Sequence, residues 1–320
     1  MNAHSEAVTP FLKARPKDFV HPGIWHTHDD LERIRTNVEA RNEPWASTYD
    51  AFRTDSYSLS NYTMRGPHAV LARGGTSNYS SFTADARAAW QNALMWYITR
   101  DDAHRTRSTA ILDAWGSNLT DIVGTDRSLL VGLEGDFFVN AAEIMRWEGG
   151  WTEAGSSWRG GAGFSVQLYW LFSRQSIPIG QANYGMVSIK ALLSFAVYLD
   201  DVTLYNYAVN EFVNNQCAGL LAMYDPETGQ SVEAGRDQVP YDPEWYRCEA
   251  VLVGGPWANI STDSFGVRSA LPVWDLPYYE FVKRRGLEGK WISQARLSNG
   301  YFEGHTTGGD HPSWGDLLWA

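Results

Sequence analysis

One junction occurs twice in this chain and constrains its fold more than any other feature. Tyr97-Ile98-Thr99-Arg100-Asp101-Asp102 closes one apolar run and opens another, and Tyr198-Leu199-Asp200-Asp201 does the same later on. In each, a helix ends and an Asp follows whose carboxylate suits the cap of the next helix. Connections this short set consecutive helices side by side and antiparallel. The flanking runs have helical spacing. Ala86, Ala89, Trp90, Ala93, Leu94 and Tyr97 share one side of a helix expected over 84–99. Ala110, Ile111, Ala114 and Trp115 mark the next, and further helices are expected over 137–147, 164–172 and 186–199. Leu204, Tyr207, Ala208 and Phe212 mark one more. Upstream, Thr27 and Asp30 form a capping-box pattern ahead of Leu31, Ile34 and Val38. Hairpins filling most of 320 residues exceed a four-helix bundle and point to a ring or an arc.

The pattern changes after Cys217. Residues 222–233 have turn formers at their centre and read as a β-hairpin. Residues 239–270 are interrupted by Pro and Gly, and a helix over 273–285 is weakened by Pro277. Residues 1–20 read as an unpacked leader, and 300–320 as a Gly- and His-rich loop. The whole is expected to be one all-α domain over 21–320 with a small β-hairpin and loop region after 217. A formal charge of −11 argues against a nucleic-acid-binding surface, and no apolar run is long enough for a membrane helix. Fifteen Trp and 16 Tyr fit two uses: wedges between helices, or cleft walls whose faces stack on sugar rings. Cys217 and Cys248 fit either one disulfide or two buried thiols, and no CxxC pair suggests a metal. Asn61, Asn78, Asn118 and Asn259 are N-x-S/T acceptors, which favours a secreted product. The opening stretch MNAHSEAVTPFLKARPKDF lacks the apolar run of a secretory signal.

Several segments together resemble the alginate-lyase domain family of polysaccharide lyases. DARAAWQNALMWYITRDD (85–102) and AILDAW (110–115) resemble its first long helical hairpin. GLEGDFFVNAAEIMRW (132–147) resembles its next landmark, and NYGMVSIKALLSFAVYLDD (183–201) its central Asn-containing helix. EAGRDQ (233–238) is similar to its Ser/Ala-Gly-Arg-Asp-Gln segment. The resemblance implies an incomplete (α/α) toroid around a cleft and β-elimination on a uronate polysaccharide such as alginate or glucuronan. It implies no obligatory organic cofactor; no residue is assigned to a metal, and no Asp-rich loop of the EF-hand type appears, which leaves a calcium requirement open. The expected partner is the anionic polysaccharide, with no nucleic acid and no membrane, and the chain is expected to act as a monomer. In the family the Gly-Arg-Asp-Gln segment runs into a His-containing stretch and a further Ala-rich helix. Here Val239-Pro240-Tyr241-Asp242-Pro243 follows Gln238 at once, so a helical stretch is expected to be missing after residue 238 and activity to suffer.

Uronate elimination requires a donor to neutralise the carboxylate, a base for the C5 proton and an acid for the departing O4. The resemblance assigns the first task to Asn183 and Arg236. Tyr184 and Tyr241 are the candidate base and acid, Tyr184 standing where some relatives carry His. Adjacent helix positions point about 100° apart, which separates Asn183 from Tyr184. A polyanion also needs a local basic patch on a chain this acidic, for which Arg236, Lys190, Arg247 and Arg73 are available. His305 and His311 are weaker candidates, while His26 and His28 are expected to decorate the first helix cap. Two other readings fit the residues. A glycoside hydrolase on a similar toroid would use two of Asp136, Glu143, Glu233 and Asp237, although a surface or capping role is expected of Glu143. A non-catalytic glycan-binding relic would keep the aromatic cleft alone.

Overall fold

The computed structural model describes residues 19–153, 164, 172–177, 182–215, 218, 275–290, 292–293, 296 and 312–320, with backbone only for 182 and 183. The capping box is present: Thr27 Oγ1 accepts from the Asp30 N–H, and the Asp30 carboxylate accepts from the Thr27 N–H. It starts α1 (His28–Glu39), which buries Leu31, Ile34 and Val38 as expected. α2 (Trp45–Phe52) buries Phe52, and a strand β1 (Val70–Ala72) leads to α3 (Ser80–Thr99). Then come α4 (Asp102–Asn118), strand β2 (Asp121–Val123), α5 (Arg127–Trp147), α6 (Ala182–Tyr198) and α7 (Val202–Asn214).

Both Asp-Asp junctions are built alike. Arg100 and Asp200 take left-handed conformations, φ 60° and 54°, and end their helices. Asp101 then caps α4 through the Ala103 N–H at 2.9 Å. Asp201 caps α7 through the N–H groups of Thr203 and Leu204 at 3.0 and 2.9 Å. The first hairpin is antiparallel: His104 meets Asn92, Ser108 meets Ala89 and Trp115 meets Asp85, so α4 numbers rise as α3 numbers fall.

The packing between hairpins runs the other way. Thr83 hydrogen-bonds Glu134 near the start of α3 and α5, and His28 bridges Tyr97 and Glu148 near their ends. Gly132 lies against Val187, Asp136 against Lys190 and Ser194, and Arg146 against the Tyr198 ring. α3, α5 and α6 are therefore parallel to one another. They form an inner layer, and α4 and α7 return outside it. α3 is buried nearly all round from Phe82 to Ile98, and α5 from Leu130 to Met145, whereas α7 fully buries Ala208 alone. An inner helix has neighbours on every side, so the single apolar face expected for 84–99 is too narrow. Gly132 permits the closest approach, because a Cβ there would lie 2.6 Å from Val187 Cγ2.

Burial reaches polar groups where they are satisfied. Asp85, inside α3, accepts from Tyr62 Oη, the Arg65 and Gly66 N–H groups and Trp115 Nε1, all at 2.8–2.9 Å. Four donors hold this carboxylate inside the core and tie the 62–66 segment to the first hairpin.

Several expectations are corrected. The helices begin earlier than periodicity suggests, α3 at Ser80, α5 at Arg127 and α6 at Ala182; Tyr79 and Asp126 make no side-chain capping bond, so no capping signal marks the starts of α3 and α5. The described strands lie at 70–72 and 121–123 and pair in parallel. The β-hairpin placed at 222–233, both cysteines, and the junction after Gln238 lie outside the described residues. Of the expected 164–172 helix only its two end residues are described, and both Phe164 and Phe172 are buried. The 273–285 helix is Asp275–Pro277 followed by a π-helical Tyr278–Arg284. Pro277 fits there because it sits in the first turn, where its missing N–H has no partner to lose. Of the loop expected over 300–320, residues 300–311 lie outside the described residues, while the described end is packed: Trp314, Leu317 and Leu318 are core residues, and Gly315–Leu318 is one helical turn. Packing also begins before residue 21, as Phe19 sets its ring edge-on to Tyr205 at 5.2 Å.

Candidate active site

Three parallel inner helices bring three N-termini to one end of the molecule. Tyr79 precedes α3, Asp126 precedes α5, and Asn183 and Tyr184 lie in the first turn of α6. The positive ends of the helix dipoles converge there, which favours negative charge.

A small parallel ladder sets this rim. β1 pairs with β2 in the register Val70↔Asp121, Leu71↔Ile122 and Ala72↔Val123. It continues past the strands: Arg73 N donates to Val123 O at 3.2 Å, and Asp126 N donates to Arg73 O at 3.1 Å. Arg73 and Asp126 are thereby side by side. Gly124, at φ 102°, is required in the turn, since a Cβ there would strike the Arg73 carbonyl. Asn78 locks the near side, its side chain bonded to both Ala72 N and Val70 O. The Arg73 guanidinium lies over the Tyr79 ring at 4.6 Å.

Tyr184 is half-buried, and its hydroxyl donates to Asp126 Oδ1 at 3.4 Å. Burial, reinforced by the Asp126 charge, raises its pKa above that of an ordinary tyrosine, and Arg73 opposes this. The hydroxyl therefore holds its proton at neutral pH. Deeper in, Glu134 is buried, and burial pushes its carboxyl up against the opposing pull of Thr83, Arg87, Arg73 and Lys190. Arg87 lies over the Phe137 ring at 4.9 Å. Lys190 pairs with Asp136 Oδ2 at 3.2 Å, and Ser194 donates to the other Asp136 oxygen at 2.5 Å.

The structure thus brings Tyr184 and Arg73 to one rim, with the Asn183 backbone in the same helical turn as Tyr184. Arg236, Tyr241, Arg247, Glu233, Asp237, His305 and His311 lie outside the described residues. Lys190 does not extend an open basic patch: it is held by Asp136 between α5 and α6. Glu143 is buried rather than superficial, and takes His21 Nδ1 at 2.7 Å and the Gly23 N–H at 3.1 Å. His28 opens α1 as expected and bonds Glu148 at 2.9 Å, but His26 is buried, its ring 5.2 Å from that of Trp319. Sequence reasoning missed Tyr79, Asp126 and Glu134. The signal for Glu134 was a carboxylate between two glycines inside an apolar run. Among the described residues no group of His, Cys, Asp or Glu is arranged to hold a metal ion, and no helix is long and apolar enough to cross a membrane.

No protein-family profile and no curated protein matches this sequence. Solved structures do match. A variant of alginate lyase A1-III complexed with a tetrasaccharide is similar at a TM-score of 0.50 and 13% identity, over 91% of this chain and 94% of that one. Alginate lyase A1-III from Sphingomonas species A1 gives a TM-score of 0.48 at 13% identity, over 91% of this chain and 94% of that one. An alginate lyase from Bacteroides ovatus gives 0.48 at 9% identity, over 94% of this chain and all of that one. At these identities the likeness concerns the fold, and the fold of this chain is an all-α, toroid-like arrangement similar to that of the alginate lyases.

Proposed function

We propose that this chain is a polysaccharide lyase that cleaves a uronate-containing polysaccharide, of alginate or glucuronan type, by β-elimination. The observation that carries the reading is the rim where three inner helices begin, with a protonated Tyr184 hydroxyl and the Arg73 cation both set beside Asp126. In the reaction a base takes the C5 proton, the C4–C5 double bond forms, the C4–O4 bond breaks and O4 takes up a proton. Asn183 and Arg236 neutralise the uronate carboxylate, so that charge developing at C5 spreads into it. A tyrosine that keeps its proton cannot take one and has one to give, so Tyr184 serves O4 and Tyr241 takes the C5 proton. The reading rests on one domain spanning 21–320. It also takes the chain as secreted, with Asn61 exposed and open to a glycan and the amides of Asn78 and Asn118 already committed to Val70 O and Ala114 O.

The test is incubation with alginate, glucuronan and other polyuronates while ultraviolet absorbance is followed. Elimination leaves a double bond conjugated to the carboxylate and absorbance rises; hydrolysis leaves none. A flat trace from folded protein, with reducing ends appearing, would replace this reading by a hydrolase. A flat trace with binding alone would leave a glycan-binding protein.

A further inference from the structure

We propose that Arg73, laid on the face of Tyr79, binds the carboxylate of a uronate unit of the bound chain, beside the unit undergoing elimination. The inference rests on the lyase reading and deepens it by naming how the polyanion is gripped. Three observations carry it. The Arg73 backbone is fixed on both sides, through its N–H to Val123 and its carbonyl to Asp126, so the side chain leaves from a rigid point. Its guanidinium lies 4.6 Å over the Tyr79 ring, a contact made through the face of the ring that uses none of the N–H groups on an anion. No carboxylate of the described residues forms an ion pair with it, while Lys190, which like Arg73 acts on Glu134, is held by Asp136.

Its surroundings fit an anion rather than a structural partner. Asp126, the nearest acidic neighbour along the backbone, takes the Tyr184 hydroxyl. The buried Glu134 faces Arg87 and Lys190 as well as Arg73. A planar guanidinium at the mouth of three helix N-termini, in a chain of net charge −11, offers a uronate two parallel N–H donors and a locally favourable field. The polymer supplies one carboxylate per unit, so an arginine beside the reacting unit adds affinity and register without touching the reacting atoms.

The experiment pairs kinetics with binding. On polyuronate, Arg73→Ala is expected to raise KM about ten- to a hundredfold while kcat stays within a few-fold. Binding is measured by calorimetry in an Asn183→Ala background, with and without Arg73→Ala, using an oligouronate and its carboxyl-reduced counterpart. Arg73→Ala should weaken only the acidic ligand, and Arg73→Lys should restore part of the loss because charge returns without the planar fork. Tyr79→Phe should keep the stacking and the affinity. Equal weakening of both ligands would mark a merely structural arginine and overturn the proposal, as would unchanged uronate binding. Uronate binding that depends on Arg73, in a wild-type protein with no turnover, would uphold the inference and remove the lyase reading. A wild-type protein that neither binds nor cleaves any uronate would remove both.

Discussion

At Tyr184 the hydroxyl is directed to Asp126, and burial keeps its proton on. Tyr184→Phe is expected to lower kcat about 10²–10⁴-fold with KM little changed, the mark of a lost proton donor. Its contribution should persist through neutral pH and fade only above the usual tyrosine range, which a pH profile of kcat checks. Asn183→Ala and Arg236→Ala should each cost about 10²–10³ in kcat if they stabilise charge on the carboxylate. Asp85 is tested by stability instead. Asp85→Ala would strand four donors, and denaturant melts should show a loss of about 3 kcal/mol or more. At this scale the sequence was legible where a residue acts on its near neighbours, as Thr27 and Asp30 do. Tyr79 and Asp126 could not be read this way. Their meeting with Tyr184 joins three helices, and no local spacing encodes it.

Between elements, the Asp-Asp junctions were readable because capping is local chemistry. Asp201→Ala removes the acceptor for two α7 N–H groups, and a loss of about 1 kcal/mol is expected in urea melts. Packing between parallel helices was less readable, and Gly132 shows why. Within α5 it looks like a poor helix former, while against Val187 it is the only residue type that fits. Gly132→Ala should gain helix propensity yet lose about 1–3 kcal/mol net, as the Cβ pushes α6 away. An increase in stability would show that the two helices yield there. The early starts of α3 and α5 were hard to read for another reason: neither Tyr79 nor Asp126 makes a side-chain capping bond, so no local signal marks them.

Across the whole molecule, the segment before α1 is strapped to α5 and to the α6–α7 junction by His21. Its ring stacks on Trp147 at 4.3 Å, with Glu143 on Nδ1 at 2.7 Å and Asp200 on Nε2 at 3.1 Å. Burial alone would lower its pKa, but hydrogen bonds and charge from Glu143 and then Asp200 hold it above the ordinary value. Two carboxylate acceptors on one imidazole also require both nitrogens to carry protons. Folding therefore takes up a proton at His21, and the strap's contribution is complete below the ordinary histidine pKa and is lost as pH rises through the raised one. His26 behaves oppositely. Burial pushes its pKa down to about 4, so the native ring is neutral and stability falls as pH drops from the usual histidine value towards 4. Denaturant midpoints against pH should peak between the two limbs. His21→Gln should flatten the alkaline limb, and His26→Phe the acid limb by an amount of order 3 kcal/mol. A profile unchanged by both variants would remove these assignments.

What the sequence determined by itself was the building unit: helices of given apolar period, capped by Asp and joined by turns too short to do anything but reverse the chain. Those are interactions among residues close in sequence, and local physics settles them. The tertiary structure decided which helices lie inside, that the inner ones run parallel, and that Arg73, Tyr79, Asp126 and Tyr184 share a rim. That order depends on close approach at Gly132 and Gly124, on a three-residue parallel ladder, and on buried pairs such as Lys190 with Asp136. Each joins residues far apart in the chain, and each becomes favourable only once the surrounding elements have excluded water from it.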